Sequence, residues 1–288
     1  MITKNITVCF IGGDERHKYA ALYLANILKT NVTGSIFIGA EHPNINRFEN
    51  PIKAAHEANV IILPMPASDS EKIIPFDELI KQIKASTTRP YILGGRFSPY
   101  LKGILEENKI KYTDYYDNEC FTLRNAFLTA EGAISLAMSA TEHSLKDAAC
   151  AIMGYGRIGM ALGNMLKAFN ADVTVWARRE ESLTLAMENG LKAKKLSPST
   201  STIAQNSTII FNTVPERIFS NEALLSMSPQ TVLIELASLP GGFDPDIASQ
   251  CEIKLINGRG LPPKYAPRSA GKILADTIIQ HINQEGII

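Results

Sequence analysis

The stretch Ala148-Ala149-Cys150-Ala151-Ile152-Met153-Gly154-Tyr155-Gly156-Arg157-Ile158-Gly159 decides how this chain is read. An apolar run ends in a glycine-rich turn, and a helical run follows to Phe169. G-x-G-x-x-G between a strand and a helix, inside a unit of about 30 residues, is the dinucleotide-binding fingerprint. Gly154 permits the tight turn, Gly156 lets the backbone approach a pyrophosphate, and Gly159 lets helix and strand pack closely. The helix N-terminus adds amide donors and the positive end of a dipole. The motif alone would also suit a glycine turn without a ligand; its place between strand and helix favours the dinucleotide. Tyr155, Arg157 and Ile158 complete the turn as candidate cofactor contacts.

Reading outward, the next strand, Asp172–Trp176, ends in Ala177-Arg178-Arg179. An NAD site usually places Asp or Glu there to hold the ribose 2′-hydroxyl. Arg178 and Arg179 suit a 2′-phosphate instead, by bidentate pairing and by stacking on adenine, so the sequence favours NADP over NAD. A solvated arginine pair on a loop is the alternative. Glu180 and Glu181 read as the opening of the following helix, where acidic side chains favour the N-terminus. Two more strands, Ser207–Asn212 and Thr231–Leu236, end in Asn212-Thr213-Val214-Pro215 and Ala237-Ser238-Leu239-Pro240-Gly241-Gly242. In a doubly wound sheet such strand ends line the cofactor crevice, so Asn212, Thr213, Val214, Pro215, Ala237 and Ser238 join the candidates. Ile253–Asn257 reads as a last strand, and the Gly258–Pro262 loop after it should border the nicotinamide.

The first half repeats the alternation of apolar runs and helical segments that marks parallel sheets covered on both faces. Strands are expected at Ile6–Ile11, Ser35–Ile38, Val60–Pro64, Pro90–Leu93 and Lys111–Tyr115, with helices over Arg16–Leu28, Phe76–Lys84 and Pro99–Asn108. The fold class is α/β with two domains: an N-terminal flavodoxin-like open parallel sheet over residues 1–118 and a C-terminal Rossmann fold over 146–288. Between them, residues 119–145 read as a linker helix. A closing helix over Ser269–Asn283 spaces Ile273, Leu274, Ile278 and Ile282 at helical intervals and could pack back on the first domain.

Composition narrows the function. The 288 residues suggest about two domains, and 29 Lys+Arg against 29 Asp+Glu leave net charge zero. A neutral chain offers no funnel for a polyanion, which argues against a nucleic-acid binder. Cys9, Cys120, Cys150 and Cys251 form no C-x-x-C pair and read as reduced thiols of a cytoplasmic protein, Cys9 and Cys150 as buried hydrophobes. The Met1–Asn5 start shows no signal peptide, the apolar runs are too short to span a bilayer, and the histidines lack metal-ligand spacing, so no metal site is expected.

Several segments together resemble the family of dipicolinate synthase A subunits from spore-forming bacteria. They are Gly12-Gly13-Asp14-Glu15-Arg16, Gly94-Gly95-Arg96, the Asn125-Ala126-Phe127-Leu128-Thr129-Ala130-Glu131-Gly132-Ala133 helix, the Gly-Tyr-Gly-Arg turn, Ala177-Arg178-Arg179, Asn212-Thr213-Val214-Pro215 and Ala266-Pro267-Arg268-Ser269-Ala270-Gly271. The likeness runs through nearly the whole chain. It implies an NADP-binding Rossmann domain, an N-terminal substrate domain and, for a partner, a flavoprotein-like B subunit. The implied reaction is oxidation of a dihydrodipicolinate-type intermediate, on a branch of the lysine pathway, to dipicolinate (pyridine-2,6-dicarboxylate) during sporulation.

A small-molecule dicarboxylate substrate calls for fixed cationic forks. Arg16 and Arg96 follow strands that should end at one edge of the first sheet, toward an interdomain cleft; Arg124 is a third substrate-binding candidate, with Lys264 and Arg268 behind it. Asp14 is a candidate catalytic carboxylate that could equally position Arg16 or cap a helix. Glu131, in a small and apolar helical context, is read either as a general acid or base or as an interhelix hydrogen-bonding residue. No histidine is placed for 2-hydroxyacid chemistry, which suits aromatisation of a dihydropyridine better. Two other functions stay open: another NADP-dependent two-domain dehydrogenase, and a nucleotide-binding scaffold whose partner does the chemistry. A homo-oligomer is possible under each.

Overall fold

The computed structural model describes residues 6–27, 31–35, 41–72, 74–196, 203, 206–250 and 253–287. The chain divides into two units, Met1–Asn125 with Pro262–Ile288, and Ala126–Leu261. Unit 1 runs β1 (Thr7–Ile11), α1 (Glu15–Ile27), β2 (Asn31–Ser35), β3 (Ile45–Phe48), α2 (Pro51–Ala54), β4 (Val60–Ile62), α3 (Phe76–Ala85), β5 (Tyr91–Gly94), α4 (Pro99–Glu107) and β6 (Tyr112–Asp114), and enters α5 (Glu119–Ala140). Its sheet is parallel, in the order β3-β2-β1-β4-β5-β6. Val8–Ile11, Val60–Leu63 and Ile92–Leu93 are fully buried, as expected of strands covered on both faces.

Without β3 the order is the flavodoxin-like one read from the sequence. β3 is an addition at the edge: Ile-Asn-Arg-Phe buries only its first residue, so it carries no apolar run to betray it. β2 lies earlier than the expected Ser35–Ile38; residues 36–38 fall outside the described ones, as does Cys251. Polar Thr33 sits inside β2 because its hydroxyl donates to the Ala54 carbonyl at 2.7 Å.

Unit 2 continues with β7 (Ala149–Met153), α6 (Arg157–Ala168), β8 (Asp172–Ala177), α7 (Glu180–Glu188), β9 (Lys192–Lys195), β10 (Ile209–Asn212), α8 (Asn221–Leu225), β11 (Val232–Glu235), α9 (Pro245–Ala248) and β12 (Lys254–Asn257). Its order, β12-β11-β10-β7-β8-β9, is the doubly wound Rossmann order, with the switch point between β7 and β10. β9, Lys-Ala-Lys-Lys, is a mostly exposed edge strand that the sequence does not announce, and its lysines suit an unpaired edge.

Then follow α10 (Leu261–Tyr265) and α11 (Pro267–Gln284). The sequence reading ran the second domain to residue 288, whereas α11 belongs to unit 1 and packs on α1. Ile273, Leu274, Ile278 and Ile282 form its buried face. At Gly271 the two helices approach so closely that a Cβ would lie 2.9 Å from both the Ala20 amide nitrogen and the Arg16 carbonyl oxygen. α5 ends at Ala140, short of the expected 145, and the unit boundary falls inside it, after Asn125. Cys9 and Cys150 are buried, which pushes both thiols up to about 12, while Cys120 is exposed.

Candidate functional site

In unit 2 the carboxyl ends of β7, β8 and β10 surround a groove of about 360 Å³, lined by Gly154, Tyr155, Gly156, Ala177, Arg178, Arg179, Ser182, Leu196, Thr213, Val214 and Pro215. The three fingerprint glycines have separate physical reasons. Gly154 has φ +88, and a Cβ there would meet the Thr213 hydroxyl oxygen at 2.7 Å. That hydroxyl donates to the Met153 carbonyl at 2.7 Å and pins the β10 loop to the end of β7. A Cβ on Gly159 would stand 2.3 Å from the Gly154 carbonyl oxygen, so α6 could not pack here with any side chain. Gly156 differs: nothing lies within 4 Å of its Cβ position. It caps α6 in an extended conformation, with no side-chain acceptor on the helix N-terminus. The residues therefore fit a pyrophosphate, for which a bare backbone and a helix N-terminus are the recognised cradle.

Gly154, Tyr155, Gly156, Arg178, Arg179, Thr213, Val214 and Pro215 thus line the groove; Arg157, Ile158, Gly159, Asn212, Ala237 and Ser238 do not. Gly159 is sealed in the helix–strand contact, Ile158 packs on the unit's core, and Arg157 and Ser238 are exposed. Tyr155 offers its backbone, because its ring is buried and its hydroxyl accepts from Asn189 Nδ2 at 3.1 Å. Ala177, Ser182 and Leu196 line the groove without having been foreseen. At its rim Arg178 Nη1 donates to Glu216 Oε2 at 2.7 Å.

Asn212 is wholly buried for a different reason. Its Nδ2 donates to the Glu235 carboxylate at 2.8 and 3.1 Å, and its Oδ1 accepts from the Val214 amide. Glu235, only 2% exposed, also accepts from the Ala237 and Gly242 amides at 2.9 and 2.8 Å. Burial pushes its carboxyl above the usual range, against these amides, Asn212 and the nearby Arg259, which lower it. Arg259 Nε donates to the Ala237 carbonyl at 2.6 Å. The ends of β10, β11 and β12 are thereby tied around one carboxylate. A glutamate inside the apolar run Val-Leu-Ile-Glu-Leu is a signal that could have found it, since a buried charge needs partners.

In unit 1 the switch point lies between β1 and β4, and polar side chains gather after β1. Arg16, 4% exposed, places Nε 3.0 Å and Nη2 2.8 Å from opposite oxygens of Asp14. Its Nη1 lies 3.5 Å from Asn125 Oδ1 and 3.8 Å from Met65 Sδ. His17, passed over in the sequence, is fully buried beside them, with Nδ1 3.1 Å from Asp14 Oδ1 and Nε2 3.4 Å from the Tyr115 hydroxyl. Burial alone would raise the Asp14 carboxyl, but hydrogen bonds from His17 and Arg16 outweigh it and hold the group well below the carboxylate range. Burial likewise lowers His17 and raises Tyr115. Asp14 thus pairs with Arg16 and hydrogen-bonds to His17 at once.

Arg96 follows β5 with φ +58, its amide donating to Asp114 Oδ1 at 2.8 Å. Its exposed guanidinium stacks 4.3 Å from the Tyr116 ring centroid. Arg124 is committed to Asp276 on α11 at 3.0 Å, and Arg268 lies 5.5 Å from the Tyr19 ring centroid. Lys264 is exposed on α10. Glu131 is half-buried on α5 in the other unit and has no hydrogen-bonding partner among the described residues. No group of three or more His, Cys, Asp or Glu among the described residues is placed to hold a metal, and no described helix is long and apolar enough to cross a membrane.

Two family models match the chain. Residues 7–116 match the family model of the N-terminal domain of the dipicolinate synthase A subunit. Residues 105–238 match that of the NAD-binding domain of D-isomer-specific 2-hydroxyacid dehydrogenases. The chain is 29% identical to the dipicolinate synthase A subunit of Bacillus subtilis, over 95% of this chain and 94% of that one. The crystal structure of the Bacillus subtilis dipicolinate synthase A chain superposes with a TM-score of 0.80 at 26% identity, over 98% of this chain and 97% of that one. The A subunit from Bacillus halodurans gives 0.85 at 23%, over 98% and 99%. A Salmonella D-lactate dehydrogenase shares the fold alone, at 0.68 and 13%, over 96% and 95%. Unit 2 is a nicotinamide-dinucleotide-binding domain of the dehydrogenase type.

Proposed function

We propose that the chain, which resembles the dipicolinate synthase A subunits over nearly its whole length, is a member of that family and oxidises a dihydrodipicolinate-type intermediate to dipicolinate, with NADP as acceptor. The reading includes a cytoplasmic setting during sporulation and partnership with a flavoprotein-like B subunit. The observation that carries it is the fingerprint groove, whose one unobstructed glycine, Gly156, faces the space a pyrophosphate needs while Arg178 and Arg179 stand at the β8 end.

Each residue has a part in this reading. Gly154, Gly156 and the first turn of α6 take the pyrophosphate, and Thr213, Val214 and Pro215 wall the adenosine half. Arg178 and Arg179 take the 2′-phosphate, a planar fork being suited to bidentate phosphate pairing. When bound, the cofactor supplies the hydride acceptor. Arg16, fixed by Asp14 and drawn out of water, holds one substrate carboxylate, and Arg96 holds the other. Asp14 stays ionised throughout. Glu131 is assigned the proton that leaves as the ring becomes aromatic, supported by its half-buried position and its lack of a partner among the described residues. The Glu235 network keeps the β10, β11 and β12 loops in one arrangement.

The test uses the purified chain with NADP and freshly generated dihydrodipicolinate, with and without a B subunit. Dipicolinate is read by terbium luminescence and NADPH by absorbance. Product with stoichiometric NADPH is expected. Product above the no-protein control with NADP left oxidised would make unit 2 a binding module and move the chemistry elsewhere. No product under any condition would refute the assignment in favour of another dehydrogenase activity.

A further inference from the structure

The fingerprint groove has two walls, Ala177–Arg179 from the end of β8 and Thr213–Pro215 from the end of β10. Glu216 is the next residue of the second wall, and its carboxylate meets Arg178 on the first, 38 residues away in sequence, at 2.7 Å. The ion pair therefore joins the two walls at the rim. Both side chains are more than half exposed, 55% and 60%, so neither fold nor burial compels the pairing.

The other cations at this corner show why the pair matters. Lys195, the register partner of Ala177 on β9, is matched by Glu180. Arg179 has no partner among the described residues. A 2′-phosphate arriving at the β8 end would meet one guanidinium without a counter-ion and one already neutralised. A 2′-hydroxyl carries no charge and makes no such demand.

We propose that Glu216 is a specificity-determining residue acting through Arg178: its carboxylate is a built-in anion that a 2′-phosphate must displace, so it weighs against NADP and leaves NAD nearly unaffected. This rests on the reading that the groove holds a nicotinamide dinucleotide. Glu216 itself touches no cofactor; it sets how much of the Arg178 charge is available, and so sets the ratio of the two affinities.

The experiment is titration calorimetry of the full chain with NADP and with NAD at low ionic strength, where exposed charges are least screened. The variants are Glu216→Gln, Arg178→Gln and the double variant. Releasing an exposed ion pair is worth up to about five-fold in an equilibrium constant. Glu216→Gln is therefore expected to tighten NADP by about three- to five-fold and to change NAD by less than about two-fold. In the Arg178→Gln background the same substitution should do nothing for NADP, which separates action through Arg178 from general repulsion. Equal shifts for both nucleotides, an unchanged NADP affinity in Glu216→Gln, or a persisting gain in the double variant would each overturn the proposal. Absence of binding by either nucleotide to the unaltered chain would refute the cofactor reading itself, a result distinct from all of these.

Discussion

Two of the fingerprint glycines should fail in opposite ways when replaced by alanine. A Cβ on Gly159 would lie 2.3 Å from the Gly154 carbonyl oxygen and 3.1 Å from its carbonyl carbon. Carbon and oxygen in ordinary contact stand about 3.3 Å apart or more, so α6 must move by roughly 1 Å from β7. Overpacking of this kind costs typically about 1–3 kcal/mol, and a backbone obstacle places Gly159→Ala near about 3 kcal/mol. With a urea slope of about 3 kcal/mol/M, the unfolding midpoint of unit 2 should fall by about 1 M. Gly156→Ala meets nothing within 4 Å, and its φ of −87 is open to alanine. Its stability should stay within about 1 kcal/mol of the parent, the lost freedom of the unfolded chain offsetting a poorer N-cap. Yet its methyl group would occupy the space assigned to the pyrophosphate, and dinucleotide affinity should drop at least about ten-fold. Urea unfolding followed by fluorescence of the single tryptophan, Trp176, and calorimetric titration with NADP measure the two effects separately. Gly156→Ala binding as tightly as the parent would refute the assignment of the pyrophosphate. A Gly159→Ala protein as stable as the parent would refute the close-packing argument.

Three further outcomes are expected. Asp14→Asn should leave Arg16 buried with a weakened partner and cost about 1–3 kcal/mol, discounted for the partial exposure of the carboxylate. Because the folded Asp14 carboxyl lies below its ordinary 3.8, its contribution is present above that pH and lost as pH falls further; acid unfolding of the variant should therefore be flatter below about pH 4, and an unchanged acid limb would count against the cluster. Glu235→Ala strips the acceptor from Asn212 Nδ2 and the Ala237 and Gly242 amides, and at about 1–3 kcal/mol for a buried unsatisfied group the loss should reach about 3 kcal/mol in urea unfolding. Gly271→Ala pushes a methyl group against the α1 backbone, so thermal unfolding of unit 1 should shift down by the equivalent of about 2 kcal/mol, and an unshifted transition would mean the helices part without cost.

Much of unit 2 was legible because its defining feature is local. Strand, turn and helix of the fingerprint occupy consecutive residues, and the close approach that requires Gly159 is to Gly154, five positions away. The pairs that define the remaining chemistry are not local. Arg124 looked available for substrate, yet its ion-pair partner, Asp276, lies 152 residues on. Asn212 looked like a crevice residue, but its amide is bound to Glu235 from the next strand. His17 gave no signal as an isolated histidine, since its partners are Asp14 in the turn before it and Tyr115, 98 residues away.

The same distinction separates the elements that were foreseen from those that were not. Apolar runs such as Val8–Ile11 and Ile209–Phe211 are buried on both faces, and burial is written directly into residue type. β3 and β9 are edge strands with exposed polar side chains, and what makes them strands is backbone pairing with a neighbour. Hydrophobic spacing showed that α11 has a buried face, but a periodic pattern does not say which surface covers it. The close approach at Gly271, to residues more than 250 positions earlier, assigns it to unit 1. The sequence by itself thus determined the α/β alternation, the dinucleotide cradle and the sites of apolar burial, because these follow from side-chain chemistry and near spacing. Only the tertiary structure decided which charges are spent on one another, because a carboxylate's counter-ion is whatever the fold brings within about 3 Å.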